Sequence, residues 1–376
     1  MKARIISLIL CLGILGSMTG CASVYSKEYM QVEEVTGENY EENEGSYYEV
    51  SDYDDLKKAV VSMINSFETE KRFRFAGYKG DSEELQSDLS QAFWEARTET
   101  ALGGYAVDYM SHDLGKILTY YEATVYIDYK RTAEEVRELR YVQDMTGMVK
   151  SISAAMENFS PEFTVKMSNE KLTEEKVSEA VRTAYEFNPL SCVLTPEAKV
   201  NVYPQEGIQK IIEISFKYQK PERELKKIRE ELSDKIKDIV KDIDTKETRQ
   251  AAMNIHNKLA SMSKYVPYSA SSKKKTEGNE STLYGALVDG SADSRGFALA
   301  YCALCHEAGI KCIAVSGTKD KEAHFWNMVQ IDGDFYHVDV SASAGAGKPV
   351  AFMATDEQMH GHYWWNIESY PETPMT

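Results

Sequence analysis

The chain has 376 residues, with 43 Lys and Arg against 60 Asp and Glu, for a formal net charge of -17. So acidic a body argues against nucleic acid as a partner and against docking to an anionic membrane surface through a basic patch. With 43% hydrophobic and 11% aromatic residues, it is long and apolar enough for more than one packed core, which excludes a chain disordered throughout.

Residues 1–20 read as a leader, with Lys2 and Arg4 ahead of an apolar run from Ile5 to Leu15 and small residues at the end. The segment Ser17-Met18-Thr19-Gly20-Cys21 resembles a bacterial lipobox, with Met18 where Leu is usual. That resemblance implies that Cys21 becomes the acylated first residue of the mature protein. The expected location is then the outer side of the cell membrane, held by acyl chains. No later run is long and apolar enough to span a bilayer. Residues 21–50 are polar and rich in Glu, and read as a flexible acidic tether whose Tyr residues are the only sign of more. Of six Cys, Cys11 lies in the leader and Cys21 at the acylation position. The remaining four, Cys192, Cys302, Cys305 and Cys312, are too sparse for a disulfide framework, and their pairing is left open.

Two similar blocks follow, 51–143 and 144–220. In the first, Leu56, Ala59, Val60 and Ile64 make a helical stripe, and Phe73 and Phe75 alternate as a strand. Leu85, Leu89 and Ala92 begin a second helix, Tyr105 and Val107 suggest another strand, and Ala123–Tyr129 a final one. The second block repeats the order with Phe163 and Val165, Val177 and Ala180, the stretch around Val193, and Ile211–Tyr218. A charged helix follows each, the first with a Thr132/Glu135 capping box and the second after Pro221. The blocks read as a duplicated αβαββ module, a spacer or docking part without reactive side chains. Residues 221–244, with Leu225, Ile228, Leu232, Ile236, Ile239 and Ile243, read as an amphipathic strut. Asp244 and Glu247 suggest a capping box for the next helix, and 269–279 an exposed loop.

The chemistry-bearing residues lie in three islands: Ser294-Arg295-Gly296-Phe297-Ala298, His324-Phe325-Trp326-Asn327 and Phe335-Tyr336-His337-Val338-Asp339. A helix N-terminus stabilises negative charge on a nucleophile, and an Asp on a neighbouring strand can fix the tautomer of a His. With the helix ending Lys264-Tyr265, the approach Thr282–Leu287 and Gly309–Cys312, residues 245–376 resemble the transglutaminase-like superfamily, whose fold is papain-like. The resemblance implies nucleophile, base and orienting acid at Ser294, His324 and Asp339, with Trp326 and Asn327 as binding positions. It implies neither a cofactor nor a metal. Its active members work at amide bonds of proteins or cell-wall peptides, so a peptide or cell-wall peptide is the expected ligand.

The departure is at position 294, where the family carries Cys. A thiol ionises readily, whereas a Ser hydroxyl must lose its proton during attack. A silent or attenuated site that binds peptide-like ligands is therefore expected, with a Ser294-His324-Asp339 amide or ester hydrolase or acyltransferase as the alternative. Cys302-Ala303-Leu304-Cys305-His306 fits a haem-attachment pattern, but it falls on the apolar side of a helix and reads as core. His360-Gly361-His362 reads as a turn, and Tyr363-Trp364-Trp365 as packing over an edge or lining for a groove. The expected fold class is α+β: the duplicated module, the helical strut and a C-terminal papain-like transglutaminase-like domain.

Overall fold

The computed structural model describes residues 47–191, 193–267, 279–346 and 350–375. The leader, Cys21, most of the expected tether, Cys192 and most of the 269–279 loop lie outside the described residues. The chain divides into two compact units: one comprises Tyr141 and the residues before it together with Tyr203–Ile211, and the other Val142–Val202 with Ile212–Thr376.

In the first unit, β1 (Tyr47–Glu49) pairs in parallel with β2 (Glu70–Phe75), which pairs antiparallel with β4 (Tyr120–Tyr129), and β4 with β3 (Val107–Ile117). The strand Tyr47–Glu49 thus lies within the segment 21–50 that composition alone reads as a tether. The Arg74 guanidinium lies over the Tyr47 ring at 3.8 Å and donates to its hydroxyl at 2.7 Å, which fixes β1 to the edge of the sheet. Helix α1 (Tyr53–Ser66) is capped by Asp52, and α2 (Ser82–Glu99) by an Asp81/Glu84 capping box. Leu56, Val60 and Ile64 of α1 and Leu85 and Leu89 of α2 bury against Phe73, Val125 and Ile127. Tyr105 is on a short helix α3 (Ala101–Ala106), not on a strand, because Thr100 caps that turn through Gly103 N–H. The Thr132/Glu135 box is present, but its helix α4 (Ala133–Arg137) is a single turn, followed by β5 (Arg140–Tyr141).

In the second unit, α5 (Met145–Glu157) and α6 (Glu174–Phe187) accompany a sheet in which β8 (Gln209–Lys217) lies between β6 (Glu162–Ser168) and β7 (Glu197–Tyr203). The stretch around Val193 is not a strand; the strand begins at Glu197. Helix α7 (Glu222–Val240) keeps the expected apolar stripe but is more than a strut. Leu225, Leu232 and Ile236 are at most 1% exposed, inside one core that runs from Met148 of α5 to Val338. Apart from Tyr203–Ile211, the block 144–220 thus shares a unit with everything C-terminal to it. Helix α8 (Thr248–Met262) starts without a side-chain cap, because Asp244 accepts from Lys246 N–H and does not reach the helix.

After β9 (Lys264–Tyr265) and β10 (Ser291–Ala292) comes α9 (Ser294–Glu307), which packs on a five-stranded antiparallel sheet of order β14-β13-β12-β11-β15. Its strands are β11 (Cys312–Lys319), β12 (Glu322–Ile331), β13 (Asp334–Val338), β14 (Phe352–Ala354) and β15 (Tyr363–Trp365), with α10 (Val340–Ala346) and α11 (Asp356–Met359) between them. Gly317 on β11 is required by this packing, since a Cβ there would stand 2.2 Å from Trp364 O and 2.7 Å from the Trp326 ring. Among the described residues no helix is long and apolar enough to cross a membrane.

Because Leu232 is fully buried, Leu232→Ala is expected to destabilise the second unit by about 2–5 kcal/mol. Urea unfolding checks this, and a loss below about 1 kcal/mol would show that α7 is peripheral to the core.

Candidate functional site

Helix α9 begins at Ser294 because Asp293 caps it. The cap is extended, and its Oδ1 accepts from the N–H groups of Arg295 at 2.9 Å and Gly296 at 3.0 Å, while the Ser281 hydroxyl donates to Oδ2. Burial pushes the Asp293 carboxyl above its usual range, and the bonds from Ser281, Gly296 and Arg295 oppose that push. A helix terminus can offer N–H groups to an oxyanion. Two of them are already committed to Asp293. Gly296 has no Cβ because one would lie 2.2 Å from Glu280 O, so the helix start fits tightly against that segment.

Ser294 is fully buried, and its Oγ accepts from Phe325 N–H at 3.3 Å. His324, on β12, contacts Asp339 Oδ2 through Nε2 at 2.8 Å. Asp339 is not on a strand; it follows the last residue of β13 at the turn into α10. It is buried, and its carboxylate accepts further from the hydroxyls of Tyr363 at 2.8 Å and Ser341 at 2.7 Å, and from Ala342 N–H at 2.9 Å. Burial alone would raise its pKa. The His324 hydrogen bond and charge, with Ala342 N–H and the Ser341 hydroxyl, outweigh burial and hold it below the usual carboxylate range.

The structure therefore joins His324 to Asp339 and places Ser294 against the residue next to His324. Among the described residues no hydrogen bond within 3.5 Å joins Ser294 to His324. Both contacts of the imidazole, to Asp339 and to Ser341 at 3.5 Å, use Nε2. Tyr363, which shares Asp339 Oδ2 with His324, sits on β15 and was read from sequence only as part of an aromatic run. No spacing rule links it to Asp339, 24 positions earlier.

Trp326 and Asn327, expected as binding positions, are 1% and 0% exposed, so neither presents a surface to a ligand. Asn327 Nδ2 donates to Ala298 O at 2.9 Å, tying β12 to α9. The Trp326 indole N–H donates to His337 Nδ1 at 2.9 Å, and His337 Nε2 contacts Asp356 Oδ1 at 2.8 Å. Since Nδ1 accepts from the indole, the proton is on Nε2 and His337 is neutral. Asp356 Oδ2 accepts from Thr373 N–H at 3.2 Å, and the Thr373 hydroxyl contacts Asp356 N–H at 2.7 Å.

Cys302, Cys305 and Cys312 are free and buried, with the Cys302 and Cys312 sulfurs 3.3 Å apart. His306 Nε2 bonds Cys312 O at 2.8 Å, so the haem-like pattern is used in packing α9 on β11. His362 pairs with Asp320 at 2.8 Å and His360 stacks on Trp365. Among the described residues no group of three His, Cys, Asp or Glu side chains could hold a metal ion. In the aromatic run, Tyr363 and Trp365 pack around Trp326, whereas Trp364 is 60% exposed.

Two cavities flank these positions. One of about 650 Å³ is lined by Met253, Lys319, Phe352 and Tyr363 among others. The other, of about 230 Å³, is lined by Arg182, Tyr185 and Arg295 among others.

Residues 235–340 match the model of the transglutaminase-like superfamily, so the chain carries a transglutaminase-like domain there. The match starts inside α7 and ends one residue after Asp339. No curated protein matches the chain. Among solved structures, a candidate cysteine protease from Cytophaga hutchinsonii is similar at 12% identity over 46% of this chain and 71% of its own, with a TM-score of 0.25. A TGase is similar at 12% identity over 58% of this chain and 60% of its own, also with a TM-score of 0.25.

Burial lowers the pKa of His337, with the Asp356 hydrogen bond and charge opposing it. An unfolded imidazole, with a pKa of about 6.5, takes up a proton that the folded one refuses. The stability due to neutral His337 is then complete above about pH 6.5 and is lost as pH falls below it. The urea midpoint is expected to drop between about pH 7 and about pH 5, and to drop less in His337→Gln. Equal drops in both proteins would show that His337 does not set the slope.

Proposed function

We propose that the protein is a lipid-anchored surface protein whose transglutaminase-like domain binds peptide-like ligands, with Ser294 catalytically silent or attenuated. The observation that carries this reading is the state of Ser294. Its hydroxyl is buried and bonded to Phe325 N–H, and it lacks a bond to His324. A hydroxyl nucleophile needs a base within hydrogen-bond reach, because it stays protonated until attack. A thiol, with an ordinary pKa of about 8.5, ionises beforehand far more readily. If the exchange of sulfur for oxygen loses three orders of magnitude in rate, the barrier has risen by about 4 kcal/mol. The committed N–H groups of Arg295 and Gly296 support the same reading, since a developing oxyanion needs free donors.

One observation favours a second reading, a serine-dependent amide or ester hydrolase or acyltransferase. The His324–Asp339 pair is fully assembled, and its bond through Nε2 leaves the other ring nitrogen for a proton from position 294.

The cavity beside Tyr363, at about 650 Å³, supports a ligand-binding role, being of the size that small-molecule and short peptide sites take. We read the two N-terminal blocks as copies of one αβαββ module serving as a spacer. In support, the last strand of each lies between the other two, β4 between β2 and β3, and β8 between β6 and β7. The anchor rests on the leader and Cys21. Cys21→Ser is expected to move the protein from the membrane fraction to the soluble one, and an unchanged distribution would remove the lipid from the account.

A fluorophosphonate probe decides between the two readings of Ser294. Equal labelling of the wild type and Ser294→Ala is expected, whereas labelling of the wild type alone would establish the serine enzyme instead.

A further inference from the structure

The smaller cavity lies in the second unit, between α6, the start of β7 and the first turn of α9, and its walls carry two guanidinium groups, Arg182 and Arg295. The Arg295 guanidinium lies 5.2 Å from the Tyr185 ring and 5.7 Å from the Phe325 ring. Two aromatic faces of this kind orient a guanidinium fork without using its N–H donors. Among the described residues no carboxylate lies within 4 Å of Arg295, and its Nε is buried without a hydrogen-bond partner.

The carboxylates nearby do not fill this role: Asp293 feels the Arg295 charge, but its oxygens are taken by the Ser281 hydroxyl and the N–H groups of Arg295 and Gly296. Glu186 is 5% exposed and feels the charges of Arg295 and Arg182, but it forms no ion pair with either within 4 Å. Glu179 does bridge Arg182 at 3.3 Å, but both side chains are about half exposed, and such pairs are easily exchanged. The remaining wall includes Val181, Pro196 and Val200, which suit a small apolar group beside the charge.

We propose that this cavity is a carboxylate-binding site that takes the free C-terminal end of a peptide whose last residue is small, with Arg295 and Arg182 as its partners. The volume of about 230 Å³ is room for about eight waters, enough for a terminal carboxylate and a short side chain. The planar fork of Arg295 matches the two oxygens of such a group. Arg295 follows Ser294 directly in the chain, so the anchored end would stand at the first turn of the same helix. The proposal rests on the peptide-binding reading and adds to it which part of the peptide is recognised.

Calorimetric titration of the mature chain with N-acetyl-Ala-Ala, as the free acid and as the C-terminal amide, tests the proposal. The acid is expected to bind at least about tenfold more tightly than the amide, because only it offers a charge to the two guanidinium groups. Arg295→Gln is expected to reduce acid binding to the amide level, and Arg295→Lys to restore only part of it. Should Arg295→Gln fail to fold, Arg182→Gln, at a half-exposed position, carries the same test with a partial loss. Equal binding of acid and amide, or acid binding indifferent to both arginines, would overturn the carboxylate site and leave the peptide reading standing. Binding of neither peptide overturns the carboxylate site. If a library of longer peptides also fails to bind, the peptide reading falls with it.

Discussion

The C-terminal half of the molecule is built around one buried carboxylate. Removing a charge from water costs several kcal/mol unless hydrogen bonds and a counter-charge replace the lost solvation. Asp339 receives its replacements from three separate places: His324 on β12, Tyr363 on β15, and Ser341 and Ala342 at the start of α10. Their convergence on Asp339 ties the turn from β13 into α10 to β15, which its ladder with β11 also holds. The imidazole of His324 is thus oriented as strictly as a catalytic base would need, and equally as strictly as a structural group needs.

Position 294 stands at the margin of that arrangement. Its backbone is set by the Asp293 cap, while its hydroxyl is set by a strand amide. The cap carboxylate draws on the same N–H groups and helix dipole that would favour an anion at the nucleophile. This competition weakens the helix terminus as an activating device whichever atom occupies the side chain. A thiol tolerates such an environment better than a hydroxyl, because less stabilisation is needed to ionise it.

Much of this was legible in the sequence, and what was not has physical reasons. The apolar stripes of α1, α2 and α7 and the alternation in β2 and β4 follow from periodicity. The start of α9 at Ser294 and the approach of His324 to Asp339 were implied by the family resemblance that the three islands carry. The edge strand Tyr47–Glu49 was hidden because its hold is a cation over a ring, 27 residues away, in a segment with tether-like composition. Tyr105 was misplaced because a threonine cap outweighed a β-prone pair. The burial of Trp326 and Asn327 was invisible because polar and aromatic residues beside a candidate site read as contacts for a ligand. Here they bond to His337 and to the backbone of α9. The role of Tyr363 needed a tertiary contact that no local pattern announces.

The pairing of Asp356 with Thr373 gives this half-buried segment more influence than its lack of regular structure suggests. From Thr373 an unbroken line of hydrogen bonds runs through Asp356 and His337 to the Trp326 indole, whose ring stacks beside that of His324 with centroids 6.3 Å apart. Loss of the Thr373 side chain would therefore slacken the inner wall behind His324 from a position outside the sheet.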